Sequence, residues 1–219
     1  MKINKCLAFS FSLLALIVAI TTTAMATDFS FTGGFQKDDD VQIFNFNVGA
    51  LSSVTLRTWS YAGGTNAAGT VIPRGGFDPI LAVFNSLGVR IGQNDDGGAA
   101  YVPADSVTGR YYDTYLNVSL NPGSYRVSVM QYNNFSGVNL SDGFVRDGQP
   151  NFTLSLPNTP VGSTGFFWDA TGNQRDGHWA FDILNVQGAD IGTVPEPSTF
   201  LLVAAGLAGA ALLRRKVRK

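Results

Sequence analysis

The sequence predicts an all-β fold, a jelly-roll-like β-sandwich, and three observations point to it. Apolar and polar residues alternate with period two in several short stretches. Gly, Pro, Asn and Asp, the residues of turns, separate these stretches. Between residues 27 and 193, Glu is absent and Lys occurs once, at Lys37, although helix surfaces favour both residue types. We expect this sandwich to be flanked by an N-terminal signal helix and a C-terminal hydrophobic helix.

The clearest alternation lies in residues 114–120 and 124–131, and the turn Asn121-Pro122-Gly123 between them predicts a β-hairpin. In residues 41–48 the alternation slips by one at Ile43-Phe44, which predicts a β-bulge. The remaining predicted strands are 29–31, 53–59, 80–85 paired with 89–94, 151–156, 165–168 and 178–186. Eight or more short strands separated by turns are typical of a sandwich.

The charges divide the chain into a middle and two ends. Residues 27–193 carry 8 basic and 15 acidic side chains, a formal net charge of −7, and all 15 acids are Asp. The other basic residues lie near the two termini. An acidic middle argues against a nucleic-acid partner, because phosphate binding needs clustered cations.

Residues 1–26 have the pattern of a secretory signal peptide. Lys2 and Lys5 precede an apolar run at 7–20, and Ala24 and Ala26 place small side chains where signal peptidase cuts. We therefore expect export through the Sec machinery and cleavage by signal peptidase; the alternative is an uncleaved anchor. The only cysteine, Cys6, lies in this segment, so the mature protein is expected to have no disulfide.

Residues 194–219 form a third unit with three parts. The stiff segment Val194-Pro195-Glu196-Pro197 comes first, followed by residues 200–213, which have no polar side chain. Even with Ser198 and Thr199 this run is shorter than the roughly 20 residues of a full membrane span, so it is a marginal anchor. The basic tail, expected in the cytoplasm, consists of Arg214, Arg215, Lys216, Arg218 and Lys219. The alternative is an ordinary one-span anchor.

In the order of these parts, residues 194–219 resemble a PEP-CTERM sorting signal. The resemblance implies recognition by an exosortase, a membrane cysteine protease that removes the tail at or near Pro195-Glu196-Pro197. It also implies a Gram-negative host that exports polysaccharide into a biofilm or floc matrix. The expected location is transient anchoring in the inner membrane through 200–213, followed by the cell surface or extracellular matrix.

The middle domain is similar, in the order of runs 38–46, 76–85, 94–98 and 113–125, to bacterial pre-peptidase C-terminal modules. These modules are small jelly-roll-like sandwiches attached to secreted enzymes. The similarity covers roughly residues 38–132, with no protease before it, and residues 137–190 lie outside the pattern. It implies a fold and export rather than an activity.

Oxygen-bearing side chains at predicted strand ends suggest a calcium site, because calcium takes carboxylate, amide and carbonyl oxygens. The pre-peptidase resemblance places these residues near one another. The predicted ligands are Asp38, Asp40, Asn94, Asp95, Asp96 and Asp113. The alternative interpretation is that these residues make turns and keep the surface soluble.

No motif in the sequence indicates an enzyme. His178 is the only histidine, and we expect it at a turn or strand edge; one His without a mature Cys cannot build a zinc site. The first hypothesis is therefore a non-enzymatic structural or interaction protein of the extracellular matrix. The second is a carbohydrate-binding module that tethers to the exported polysaccharide, and the third is a secreted hydrolase acting through a pair of Asp.

The two terminal assignments predict the mass of the mature protein. We expect a chain that begins at Thr27 and ends near Pro195-Glu196-Pro197, because both ends are processed. Intact mass spectrometry of the exported protein checks this. A mature species that still carries residues 201–219 would reject tail removal.

Overall fold

The structure is a computed structural model that describes residues 25–192. The predicted signal and sorting helices lie outside these residues. The described part contains no α-helix. It contains two 3-10 helices, Leu140–Asp142 and Phe152–Ser155. It also contains eleven strands: β1 Thr27–Gly34, β2 Val41–Val48, β3 Ser52–Thr58, β4 Gly64–Thr65, β5 Val71–Ile72, β6 Pro79–Phe84, β7 Arg90–Asn94, β8 Tyr115–Leu120, β9 Gly123–Gln131, β10 His178–Val186 and β11 Gly188–Ile191.

The main strands form two sheets with antiparallel pairing. Sheet A has the order β1-β10-β3-β8, and sheet B has the order β11-β2-β9-β6-β7. The short strands β4 and β5 form a separate ribbon in the loop after β3. The predicted all-β sandwich is confirmed for the described residues.

A first core fills the space between the sheets. Phe44 from sheet B is fully buried and contacts Phe31, Trp179 and Phe181 from sheet A at ring-centroid distances of 4.7, 5.6 and 5.1 Å. Aromatic side chains contribute most to this packing because each buries a large apolar area. Phe44 thus couples the two sheets.

A second core lies on the outer face of sheet B. Ile43, Ile80 and Met130 pack there under Leu140 and Phe144, which come from the loop after β9. Because this loop covers part of sheet B, β2 and β6 have buried side chains on both of their faces, at odd-numbered and at even-numbered positions. The predicted bulge at Ile43-Phe44 is therefore wrong: the pairing of β2 with β9 is continuous, and Ile43 and Phe44 face different cores.

The predicted hairpin of 114–120 and 124–131 is also wrong, although both strands exist. β8 pairs with β3 in sheet A, and β9 pairs with β2 and β6 in sheet B, so the Asn121-Pro122 turn crosses between sheets. The hairpin of β6 and β7 is confirmed. Residues 152–155 form a 3-10 helix instead of a strand, and 165–168 make only an isolated bridge at Trp168.

Replacing Phe44 by Ala is expected to lower the free energy of unfolding by about 3–5 kcal/mol, because it leaves a cavity between the sheets. Chemical denaturation of the mature protein measures this. Leu87→Ala is the control, since Leu87 is 86% exposed and its change should stay within about 0.5 kcal/mol. Equal losses for the two variants would contradict the assigned core.

Candidate metal centre

Three carboxylates meet where β6 and β7 approach the loop before β8. Asp78 directly precedes β6, and Asp95 and Asp96 directly follow β7. One oxygen from each of these residues lies within 4.8 Å of the others. The antiparallel pairing of β6 with β7 produces this meeting, because the start of β6 and the end of β7 lie at the same edge of sheet B.

Asp78 is the least accessible of the three, with 3% of its surface exposed. Its Oδ1 and the Oδ1 of Asp95 are buried without a hydrogen-bond partner among the described residues. Within residues 25–192, no Lys, Arg or His lies within 4.0 Å of any of the three carboxylates. Buried carboxylates normally have a partner, because removing a charge from water costs several kcal/mol.

The acid–base behaviour of the cluster reflects this lack of partners. Burial, reinforced by the charges of Asp95 and Asp96, raises the pKa of Asp78 well above its usual value. Burial, reinforced by Asp96, raises the pKa of Asp95 to about 7. Burial also raises the pKa of Asp96. The three groups therefore resist carrying three negative charges at neutral pH.

Two half-buried phenols border the cluster. The pKa of Tyr112 is raised by burial and by the charges of Asp78 and Asp96, and the pKa of Tyr132 by burial and by all three carboxylates. The loop itself is fixed by Asn94, whose amide donates to the carbonyls of Tyr115 and Asp96 at 2.8 and 3.1 Å. The three carboxylates are thus held together by backbone geometry and not by cationic side chains.

The residues present fit a hard divalent cation such as calcium. Calcium binds oxygen ligands at about 2.3–2.6 Å, so two oxygens on one ion lie no more than about 5 Å apart, as the three carboxylates do. A cation would also supply the positive charge that Asp78 and Asp95 lack. Asp78, Asp95 and Asp96 would hold it.

The structure brings only part of the predicted ligand set to this place. Asp95 and Asp96 belong to the cluster, and Asn94 braces its loop. Asp38 instead accepts hydrogen bonds from the backbone of Asn151 and Thr153 at 2.7 and 2.9 Å. These bonds give that carboxylate an internal role that needs no metal.

Asp40 and Asp113 have comparable roles. Asp40 accepts from the backbone N–H groups of Gln36 and Lys37 at 2.8 and 2.9 Å. Asp113 is fully buried and accepts from the Thr58 hydroxyl and from the backbone of Tyr61 and Ala62. Both carboxylates already have several donors.

Sequence reasoning did not name Asp78 as a ligand. It stands in Phe77-Asp78-Pro79, next to a strand whose residues are all buried. A carboxylate directly before such a strand indicates a buried acidic side chain, because the adjoining backbone is inside the protein. Its pairing with Asp95 required knowledge of the register between β6 and β7.

His178 lies at the first position of β10, the strand edge that the sequence predicts. Its Nδ1 contacts the Asp176 carboxylate, and its Nε2 lies 3.1 Å from the Pro73 carbonyl. Both ring nitrogens are therefore engaged within the fold.

Comparison with known proteins gives two similarities. Residues 193–216 match the model of the PEP-CTERM protein-sorting motif, which confirms the resemblance seen in the sequence. Among solved structures, the 1.0 Å crystal structure of the pre-peptidase C-terminal domain of a collagenase from Bacillus anthracis is similar, with a TM-score of 0.32 and 9% identity. That alignment covers 75% of this chain and 90% of the other. No curated protein matches the chain.

The sorting motif marks this chain as an exported protein that an exosortase processes, with a membrane-anchoring signal at its C-terminus. Within residues 25–192, the structure has no helix of the length and apolarity that crossing a membrane requires.

The raised carboxylate pKa values predict that, in the presence of a chelator, the protein becomes less stable as the pH rises. In the unfolded chain these groups titrate near pH 4, whereas Asp95 in the fold titrates near pH 7. Between these values the folded state binds more protons, so the melting temperature should fall as pH rises from 5 to 8. Thermal unfolding of the mature protein in EDTA measures this.

Adding calcium at pH 8 should reverse that fall by several degrees, since about 1 kcal/mol moves the melting temperature of such a domain by about 2–4 °C. Asp95→Asn should raise the melting temperature in EDTA and remove the response to calcium. Asp28→Asn, at an exposed carboxylate, is the matched control and should keep both responses. A calcium response that survives in Asp95→Asn would contradict the site.

Proposed function

We propose that this protein is a non-enzymatic structural or interaction component of the extracellular matrix or cell surface of a Gram-negative bacterium. The match of residues 193–216 to the sorting motif is the observation that carries the proposal. In this proposal the Sec machinery exports the chain, signal peptidase cuts after Ala26, and an exosortase removes the tail.

The end of the fold is compatible with this processing. β11 is the last strand within residues 25–192, and it pairs with β2 from Gly188 opposite Asn47 to Ile191 opposite Phe44. The N–H of Gly192 still donates to the Ile43 carbonyl at 2.9 Å. Cutting near Pro195 therefore removes no strand of the described sandwich, so a folded module remains after the anchor is lost.

The use of the carboxylates supports a role without catalysis. Asp38, Asp40 and Asp113 hold loops through hydrogen bonds. Asp78 is 3% exposed, too little for a polymer to reach it, which leaves Asp96 as the exposed carboxylate of its cluster. The pair of carboxylates that glycoside hydrolysis needs must flank a bond in an accessible cleft.

Calcium fits the same proposal as a stabilising ligand. Extracellular modules bind calcium with dissociation constants of about 10⁻⁴–10⁻³ M, so the site would fill after export. Binding to the folded state alone stabilises it by mass action. The cluster of Asp78, Asp95 and Asp96 would then make the domain more stable outside the cell than without the ion.

A second candidate function is carbohydrate binding, and one observation favours it. The outer face of sheet B carries a groove of about 250 Å³ beside the part that the loop after β9 covers. Clefts with a few convergent polar groups are the usual binding sites of proteins.

The matrix proposal predicts what happens in cells without exosortase. In wild-type cells we expect the protein in the extracellular polysaccharide fraction, lacking residues 198–219. In exosortase-deficient cells it should remain in the membrane fraction with its basic tail, because that tail and the apolar run are retained. Fractionation followed by immunoblotting and mass spectrometry measures both.

A Glu196→Ala variant in wild-type cells is the matched test, since it alters only the motif. It should reproduce the membrane-retained species. Release of an unchanged, processed protein from exosortase-deficient cells would contradict the proposal.

A further inference from the structure

The groove on sheet B is built from adjacent positions of neighbouring strands. Asn45 and Asn47 stand on the same face of β2, and Ser124 and Arg126 face the same way on β9. Ser86, just after β6, lines the groove beside them. Strand pairing places Asn45 opposite Arg126 and Asn47 opposite Ser124, so the positions of these side chains are fixed by the sheet.

The polar side chains of the groove are partly committed to one another. Asn45 donates from Nδ2 to Asp190 Oδ1 at 2.8 Å, and Ser124 donates from its hydroxyl to Asn47 Oδ1 at 2.7 Å. These bonds orient the two amides. They leave Asn47 Nδ2 without a hydrogen-bond acceptor among the described residues.

Arg126 is the charged group of the groove. Within residues 25–192 it lies farther than 4.0 Å from every carboxylate, whereas Arg74 and Arg175 both pair with Asp105. Its strand neighbours on the two sides are Asn45 and Phe84, neither of which is anionic. The guanidinium therefore keeps its donors for a ligand, and its planar fork matches a carboxylate.

Asp190 is the acidic group on this side of the sheet, and its position limits where an anion can bind. It pairs across from Asn45 on β11, which places its backbone two strands, or about 10 Å, from the backbone of Arg126. An anion beside Arg126 would thus be close to the cation and separated from the carboxylate. Besides Arg126, the polar side chains that line the groove include amides and hydroxyls, those of Asn45, Asn47, Ser86 and Ser124.

We propose that this groove binds carboxylate-bearing sugar residues of a polysaccharide, with Arg126 pairing with the carboxylate. Asn47, Ser86 and Ser124 bond the sugar hydroxyls. At about 250 Å³ the groove is smaller than the roughly 300–1,000 Å³ of pockets for drug-sized ligands, so it takes a single sugar unit of a chain that extends over the surface. The inference deepens the carbohydrate-binding function proposed above by giving it a site and an acidic ligand class.

The groove is separate from the candidate metal centre. It lies over the middle of β2 and the start of β9, while Asp78, Asp95 and Asp96 lie beyond the ends of β6 and β7. Saccharide binding in the groove should therefore not require a divalent cation. Chelation distinguishes the two sites.

The test measures binding of oligogalacturonate to the mature protein in EDTA by calorimetry, with a neutral dextran oligomer of similar length as the comparison. We expect binding of the acidic oligomer, none of the neutral one, and at least a tenfold loss of affinity in Arg126→Gln. Arg110→Gln removes the same charge at an exposed site elsewhere and should bind like the unmodified protein. Circular dichroism checks that both variants fold.

Three outcomes would overturn the inference: no binding of the acidic oligomer, equal binding by Arg126→Gln, or equal loss in Arg110→Gln. Binding that appears only with calcium and is lost in Asp95→Asn would assign the saccharide to the metal centre instead. The sorting of the protein to the matrix, measured by cell fractionation, is independent of all these results.

Discussion

Buried aspartate carboxylates hold several loops of this protein onto its sandwich, and the positions of these loops depend on them. Asp113 accepts from Thr58, Tyr61 and Ala62, which fixes the loop after β3 against the loop before β8. Asp38 fixes the 3-10 segment at 152–155 to the turn before β2. For Asp113 burial outweighs these hydrogen bonds and raises the pKa of the carboxyl, but the same bonds make a short acidic side chain a structural element.

Asp105 and Asp169 have the same role, and their hydrogen-bond partners include side chains. Burial disfavours the charge of Asp105, but Arg74 and Thr108 outweigh it and lower the pKa of that carboxyl. Asp169 also has a lowered pKa, because the hydrogen bonds of Asn173, Tyr61 and Thr171 outweigh its burial. Asp182 accepts from the indole of Trp59 at 2.7 Å and from the backbone of Ala67 at 2.9 Å.

The cluster of Asp78, Asp95 and Asp96 differs from these carboxylates in two physical respects. Two of its oxygens are buried without a donor among the described residues, and the three charges repel one another. A protein with this arrangement keeps a proton there or takes up a cation. If a cation binds there after export, its binding energy would add directly to the stability of the fold.

Sequence patterns predicted where the strands lie better than which strands pair with each other. Alternation located β8, β9 and β10, because each has one face on the main core. It predicted a bulge in β2 that the strand does not have, because β2 is covered on both faces and alternation is then lost. The crossing between sheets at Asn121-Pro122 looks like a hairpin turn locally, and only the tertiary pairing distinguishes the two.

The same limit applies to the sites. The sequence singled out Asp95 and Asp96 because an acidic pair follows a strand, but it could not bring in Asp78, which depends on the register of β6 with β7. It also grouped Asp38 and Asp113 with them, because a metal ligand and a loop-holding carboxylate look alike in a sequence. The groove around Arg126 has no motif, since it is assembled by pairing of β2 with β9.

A crystal structure of the mature protein, grown at neutral pH with calcium, shows whether the three carboxylates hold a cation. We expect an anomalous peak between the carboxylates of Asp78, Asp95 and Asp96, with oxygens at about 2.3–2.6 Å from it. Density that shows only water there, with the calcium bound at Asp38, Asp40 or Asp113, would contradict it.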